Sequence, residues 1–213
     1  MFKIIHEDKN PMLMIVTPLR PEDKISKKTK ITIKRNEIPF IWGYYQGKGN
    51  VVQNFKAGLK EFDKYLKKLP PFTIKVDNDT IWNRKTFDKM LRILEISPDN
   101  IAYAYCSFSY RGAVTADFPA IPFDPTRLRQ NNYISSNSIF KTGILKKFEP
   151  IDDNKYQRLL DWAYYLRLLN NKYIGIPTDG YFTALAGKNS ISAGSNMEFH
   201  QKRMAVLEDF CKQ

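Results

Sequence analysis

Short apolar runs alternate with amphipathic stretches along this chain. The runs are continuous over five to eight positions, which is typical of strands buried on both faces. Strands are predicted at 12–18, 38–45, 72–76, 101–108 and 173–177. Apolar residues three and four positions apart indicate helices at 51–69, 85–94, 152–171 and 196–210. Strands that alternate with helices predict an α/β fold whose sheet is largely parallel.

Three stretches lie outside this rhythm. Residues 20–37 are polar and rich in lysine, and they predict a loop with a strongly basic helix, whose simplest interpretation is a solvated face. Residues 112–133 hold several prolines and predict a long irregular connection of the kind that covers a site. Residues 190–194 are small and polar and predict a flexible loop.

Two carboxylates follow the strand at 72–76. Asp77 and Asp79 are two positions apart, so in an extended segment they lean to the same face, where a divalent cation relieves their repulsion. Ligands of open α/β sheets bind at the carboxyl ends of strands. The alternative is a turn that caps a helix starting near Asn83, because Asp and Asn are common in turns and caps.

A third carboxylate, Asp161, falls in the middle of the helix predicted at 152–171. A carboxylate among apolar residues is costly unless it is paired or faces a cleft. Arg158 and Tyr165 lie three and four residues away and are its candidate partners within the helix. Asp161 is therefore either a satisfied structural residue or a site residue.

Composition limits the classes of protein. The chain has 213 residues, 43% of them hydrophobic, which suits a globular protein with one filled core. No run approaches the ~18 apolar residues that cross a bilayer, and we expect a cytoplasmic protein without a transmembrane segment. The formal net charge is +12, from 34 basic and 22 acidic residues, and it predicts attraction to polyanions: nucleic acid, an anionic membrane or phosphorylated molecules.

Several segments together resemble the inverting family 2 glycosyltransferases, which have the GT-A fold. The resemblance covers about residues 13–192. The segments that carry it are the strand ending in Thr17-Pro18, the helix 50–59 with Asn50, Asn54 and Ala57-Gly58, the Asp77-Asn78-Asp79 motif, the segment 136–141, and Leu160-Asp161-Trp162 with the Leu166-Arg167-Leu168 ending and the strand 172–177.

The resemblance implies a single GT-A-like domain over 1–213, with a nucleotide-sugar-binding half at about 12–110 and an acceptor half at about 111–213. It implies a hexosyltransferase-like enzyme with Mn²⁺ or Mg²⁺ on Asp79 and Asp77, and Asp161 as the general base. His200 is a further metal candidate, and Lys188, Arg203, Arg127 and Arg129 are candidates for gripping phosphate. The implied donor-binding residues are Thr17, Pro18, Asn54, Asp77, Asn78 and Asp79, and the implied acceptor-side residues are Ser136, Asn137 and Trp162.

Two departures from the family pattern leave choices open. Trp42-Gly43-Tyr44-Tyr45-Gln46 stands where the family usually has an acidic pair that reads the nucleotide, and Leu160 stands where it often has Glu. The nucleotide, the sugar and the acceptor (a glycan, a lipid-linked sugar or a modified nucleic acid) are not specified. The alternative function is a basic nucleic-acid-binding protein on an α/β scaffold, in which Tyr44, Tyr45, Tyr103 and Tyr105 stack on bases.

Overall fold

A computed structural model describes residues 1–113, 115–186 and 196–211, and one sheet runs through them. The strands are Phe2–Glu7 (β1), Leu13–Leu19 (β2), Phe40–Gln46 (β3), Phe72–Lys75 (β4), Thr80–Trp82 (β5), Ile101–Gly112 (β6), Ala116–Phe118 (β7), Ile139–Lys141 (β8) and Ile174–Ala186 (β9). The helices are Lys27–Ile33 (α1), Val51–Tyr65 (α2), Thr86–Glu95 (α3), Pro125–Gln130 (α4), Thr142–Lys147 (α5), Leu160–Asn170 (α6) and Asn196–Phe210 (α7), with a 3₁₀ turn at Asn154–Tyr156.

The strand order is β1-β3-β2-β4-β8-β6-β9-β5, with β7 paired to β6. The α/β class is confirmed, but the sheet is mixed. Parallel pairing holds for β3-β2-β4 and for β6 with β9, whereas β8 runs antiparallel to both of its neighbours. Because β8 is reversed, its amino end lies beside the carboxyl end of β4 and beside Ala104 in the first half of β6.

Helices cover both faces of the sheet. In β2, Leu13 and Ile15 pack into one core with α1 and α3, while Met14 and Val16 pack into the other with α2 and α4 to α7. This alternation follows from the two-residue period of a strand, and burial on both faces explains why the run is apolar throughout. Each fully buried large apolar side chain contributes about 1.5–3 kcal/mol to stability.

Helix α2 begins at a capping box. Asn50 Oδ1 accepts from the Gln53 N–H at 2.9 Å, and Gln53 Oε1 accepts from the Asn50 N–H at 3.0 Å. Gly58 lets this helix approach the sheet closely, because a Cβ there would lie 2.7 Å from Val16 Cγ1. The helix predicted at 51–69 therefore starts where expected, and it ends at Tyr65.

Other boundaries differ from the prediction for local reasons. The helix predicted over 152–171 begins at Leu160, because Arg158 has a φ of 76° and breaks the helical path. The basic stretch 20–37 contains the short helix α1, and the connection predicted as irregular over 112–133 contains β7 and α4. The predicted loop at 190–194 lies outside the described residues.

Candidate active site

The Asp77-Asn78-Asp79 loop lies at the edge where the parallel strands β2, β3 and β4 end. It connects β4 to β5, and the Asp77 carbonyl accepts from Thr80 Oγ1 at 3.0 Å. The predicted alternative is correct as to the turn, which is present at Asn78-Asp79, but this turn does not cap the next helix, because α3 begins only at Thr86 and Lys85 is its N-cap. The two carboxylates thus stand at the ligand-binding edge of the sheet.

Asp77 is held in place by two neighbours. Lys75 Nζ lies 2.5 Å from Asp77 Oδ1, and Asn137 Nδ2 donates to Asp77 Oδ2 at 3.0 Å. Asn137 Oδ1 also accepts from the Asp77 N–H at 3.1 Å, so this buried amide grips both the backbone and the side chain. Asn137 directly precedes Ser138 and β8, and the reversed direction of β8 places it here.

Asp79 is the carboxylate of this loop whose pKa is raised. Burial, and then the charge of Asp77, raise its pKa from 3.8 to about 6, although Lys75 opposes the shift. A raised pKa means that the folded protein disfavours the ionised form. A cation bound between or beside Asp77 and Asp79 would remove much of this cost.

Asn78 forms hydrogen bonds to the start of the basic helix α1 and to the residues just before it. Its carbonyl accepts from the Ser26 N–H at 2.9 Å and from Thr29 Oγ1 at 3.0 Å. Its Nδ2 donates to the Lys24 carbonyl at 3.3 Å. Ser26 is in turn the N-cap of α1. The middle residue of the motif therefore fixes α1 beside the two carboxylates.

Asp161 lies in the first turn of α6, not in the middle of a helix. Its Oδ2 accepts from Asn132 Nδ2 at 3.1 Å, and its Oδ1 accepts from the Trp162 N–H at 2.9 Å. Burial raises its pKa, and the Trp162 N–H, Lys75 and Asn132 oppose that shift. A raised pKa makes a carboxylate a better proton acceptor.

The partners predicted for Asp161 within its own helix are wrong. The Tyr165 hydroxyl is hydrogen-bonded to the Ser135 carbonyl at 2.6 Å and to Ser138 Oγ at 2.9 Å. The Arg158 guanidinium lies over the ring of Phe199. Asp161 is thus oriented by the Asn132 side chain from another segment and by its own helix start.

Lys75 connects the two parts of the site. Its side chain is only 12% exposed, it pairs with Asp77, and its charge lowers the pKa of both Asp79 and Asp161. Sequence reasoning missed it. The signal was a lysine within a buried strand, two residues before Asp77 and hence on the same face. Asn132 was also missed, because it lies in the connection at 112–133, for which the sequence predicts no regular structure.

Four residues expected to touch substrate have buried side chains. Thr17 Oγ1 accepts from the Trp42 indole at 3.0 Å, and Pro18 beside it is buried. Asn54 Nδ2 contacts the carbonyls of Leu19, Gly47 and Gly49 at 2.8–3.0 Å. The Trp162 indole donates to the Leu128 carbonyl at 2.6 Å, and the side chain is 2% exposed. These four side chains therefore pack against or bond to other protein groups and are not open to a ligand. Ser136, next to Asn137, is partly exposed.

The described candidate phosphate-binding residues lie on α4 or bond to it, and each already contacts another part of the protein. Arg129 donates to the Phe210 carbonyl and to Asn170 Oδ1, and Arg203 donates to the Gln130 carbonyl, so both join helices to one another. Arg127 lies over the Tyr133 ring. Lys188 lies outside the described residues.

His200 is exposed on α7, which packs against the 3₁₀ turn, α4 and α6. Among the described residues, no three or more His, Cys, Asp or Glu side chains are grouped so as to hold a metal ion. The two neighbouring carboxylates nevertheless fit a divalent cation, because burial and then the charge of Asp77 raise the pKa of Asp79, and a bound cation would offset both effects. Both Asp77 oxygens already accept from protein donors, so Asp79 is the more available ligand.

Tyr103 and Tyr105 are fully buried in the core, so the expectation that they stack on bases is wrong. In the described part of the chain, no helix combines the length and the apolar character that a membrane span needs.

Comparison with solved structures identifies the fold. TarS 1-349 from S. aureus in complex with UDP-GlcNAc matches with a TM-score of 0.64 and 14% identity, over 91% of this chain and 65% of that one. The mannosyltransferase PcManGT from Pyrobaculum calidifontis in complex with GDP-Man and Mn²⁺ matches with a TM-score of 0.58 and 10% identity, over 87% of this chain and 60% of that one. A longer TarS structure matches over 82% of this chain and 36% of its own length, with 14% identity and a TM-score of 0.57.

The present chain therefore spans about one third to two thirds of the length of these proteins. No protein-family model and no curated protein sequence matches it. At these identities the likeness establishes the fold: the chain has the GT-A-like fold that its sequence predicted.

Proposed function

We propose that this protein is an inverting, metal-assisted glycosyltransferase, which moves a sugar from a nucleotide-sugar to an acceptor hydroxyl. The observation that carries the proposal is the arrangement of Asp77, Asp79 and Asp161 around Lys75 at the carboxyl edge of a GT-A-like sheet. The solved complexes of similar fold support the donor class, since one holds UDP-GlcNAc and another holds GDP-Man with Mn²⁺.

The donor side of the proposed site is the Asp77-Asn78-Asp79 loop. Asp79, with Asp77, would hold Mn²⁺ or Mg²⁺. When bound, the ion neutralises the diphosphate of the leaving nucleotide. Lys75 and Asn137 fix the Asp77 carboxylate from two sides, so the loop needs little rearrangement on binding.

The acceptor side is built around Asp161. Its carboxylate takes the proton of the acceptor hydroxyl while the acceptor oxygen bonds to the anomeric carbon and the nucleoside diphosphate leaves from the opposite face. The Asn132 amide and the Trp162 N–H orient the carboxylate, and burial makes it more basic. A positioned general base contributes roughly 10²–10⁴-fold to the rate. Ser136 lies on the proposed acceptor side.

Ligand-dependent thermal unfolding tests the donor site first. The protein is melted with a panel of nucleoside diphosphates and nucleotide-sugars, each with and without Mn²⁺. A ligand at a hundred times its Kd stabilises by about 2.7 kcal/mol, which raises the Tm by roughly 5 °C or more in a chain of this size. A shift that needs both Mn²⁺ and one nucleotide supports the proposal, and the absence of any shift across the panel contradicts it.

The Asp161→Asn variant tests the catalytic assignment once a donor is known. We expect the donor-dependent Tm shift to be unchanged and transfer to fall by about 10²–10⁴-fold. The matched control is Asp99→Asn. Asp99 is an exposed carboxylate just before the amino end of β6, whereas the candidate site lies at the carboxyl ends of the parallel strands. Near-normal turnover by Asp161→Asn would remove Asp161 from the role of base.

A further inference from the structure

The exposed face of α1 is a continuous cationic stripe. Its members recur at three- and four-residue steps, which share one side of a helix, and continue through Lys34 and Arg35 just past the end of α1. They are Lys27, Lys28, Lys30, Ile31, Lys34 and Arg35, hereafter the α1 stripe. The opposite side of the helix, with Thr29, Thr32 and Ile33, is buried against the sheet.

The charge of the α1 stripe is uncompensated. In the described part of the chain, none of its five cations forms a salt bridge. Beyond the end of the helix, Glu37 pairs with Arg84 at 2.7 Å and feels the charges of Lys85 and Arg92. The cationic surface therefore continues onto the start of α3.

Three lysines on the other face of the sheet, unlike those of the α1 stripe, form salt bridges. Lys64, Lys146 and Lys155 are each paired with a carboxylate at 2.5–2.7 Å. These three lysines are therefore neutralised by partners, whereas the α1 stripe groups its five unpaired cations on one short segment. A concentrated patch attracts an anionic partner, whereas paired charges mainly keep a surface hydrated.

Two features of the stripe identify the partner. Ile31 lies at its centre and is 51% exposed, so one aliphatic side chain is available to enter the acyl boundary while the surrounding lysines meet anionic headgroups. Four of the five cations are lysines and no residue of the stripe is aromatic, whereas nucleic-acid recognition favours arginine forks and stacking rings. We propose that the α1 stripe docks the protein onto an anionic phospholipid surface.

The docking surface is attached directly to the candidate active site. Ser26 and Thr29 bind the Asn78 carbonyl, so a bilayer that holds α1 also holds the Asp77–Asp79 edge close to it. The proposal does not depend on the catalytic assignment, because membrane binding is measured without any donor or acceptor.

Vesicle sedimentation of the full chain tests the proposal. We expect binding to vesicles of phosphatidylcholine with phosphatidylglycerol, no binding to phosphatidylcholine alone, and weaker binding as salt is raised. Each lysine near an anionic surface is worth about fivefold in partition. The triple variant Lys27→Gln, Lys30→Gln, Lys34→Gln should therefore bind about a hundredfold more weakly.

The matched control carries Lys64→Gln, Lys146→Gln and Lys155→Gln, which lower the net charge equally on the other face. It should retain most of the binding, and Ile31→Ser should weaken binding several-fold at any salt concentration. Melting curves check that each variant is folded. The proposal is overturned if anionic vesicles are not bound, if both triple variants lose binding equally, or if duplex DNA is bound more tightly than vesicles and is unaffected by Ile31→Ser.

Discussion

Asp79 provides the sharpest test of the electrostatics of the site. Its pKa is raised from 3.8 to about 6, chiefly by burial and then by Asp77. A group whose folded pKa is raised prefers to be protonated in the folded state, so its ionised form costs stability. The penalty is complete above about pH 6 and disappears as the pH falls towards the unfolded value of 3.8.

The size of the penalty follows from the shift. Two pKa units correspond to at most about 3 kcal/mol. Because Asp79 keeps part of its surface in solvent, screening reduces this to about 1–2 kcal/mol. We therefore expect Asp79→Asn to raise the Tm of the metal-free protein by roughly 3–6 °C at about pH 8, and to leave it nearly unchanged at about pH 4.

Thermal unfolding in chelator-treated buffers across this pH range measures the effect, with Asp99→Asn as the exposed control. Addition of Mn²⁺ and the donor should reverse the ranking, because wild type is then stabilised and Asp79→Asn is not. A variant that is no more stable than wild type at about pH 8, or a gain that is the same at every pH, would refute the reasoning.

Three further changes probe the surroundings. Lys75→Met removes a charge that lowers the pKa of Asp161, so the acid limb of the transfer rate against pH should move to higher pH, while Lys75→Arg should keep it in place; an unmoved limb in Lys75→Met would contradict the link. Asn137→Ala should weaken metal-dependent donor binding, measured by the donor-induced Tm shift, because the Asp77 loop loses its clamp; an undiminished shift would show that the loop is held otherwise. Asn54→Ala removes the amide that donates to the carbonyls of Leu19, Gly47 and Gly49 and should cost about 1–3 kcal/mol in urea unfolding, and an unchanged midpoint would show that the amide is dispensable.

The parts of the fold that follow local rules could be predicted from the sequence. The apolar run of β2 and the helical spacing of α2 and α3 gave the right type of element at nearly the right place. Strand β1 was missed because Phe2–Glu7 carries three polar or charged residues among its six and is only partly buried. The break before α6 was missed because a left-handed arginine, Arg158, has no sequence signal.

Some residues of the candidate site could likewise be predicted from the sequence, and others could not. Asp77 and Asp79 were predicted from their spacing at the end of a strand, and Asp161 from the cost of a carboxylate among apolar residues; burial raises the pKa of both Asp79 and Asp161. Lys75 and Asn132 were not predicted, because their roles depend on partners brought close by the fold. The resemblance implied that Trp162 lies on the acceptor side, but a helix turns by about 100° per residue, so the side chain after Asp161 faces the core.

The reversed strand β8 has a consequence for how this chain reaches its native state. β4 pairs with β8 about 67 residues later, and β5 pairs with β9 about 100 residues later, so both halves contribute to the same sheet. Pairings so distant in sequence are slow to form. A fragment ending near residue 110 would leave β4 as an open edge, which is a template for aggregation. Recombinant expression should therefore keep residues 1–186 on one polypeptide, and the Asp77 loop should acquire its Asn137 clamp only late in folding.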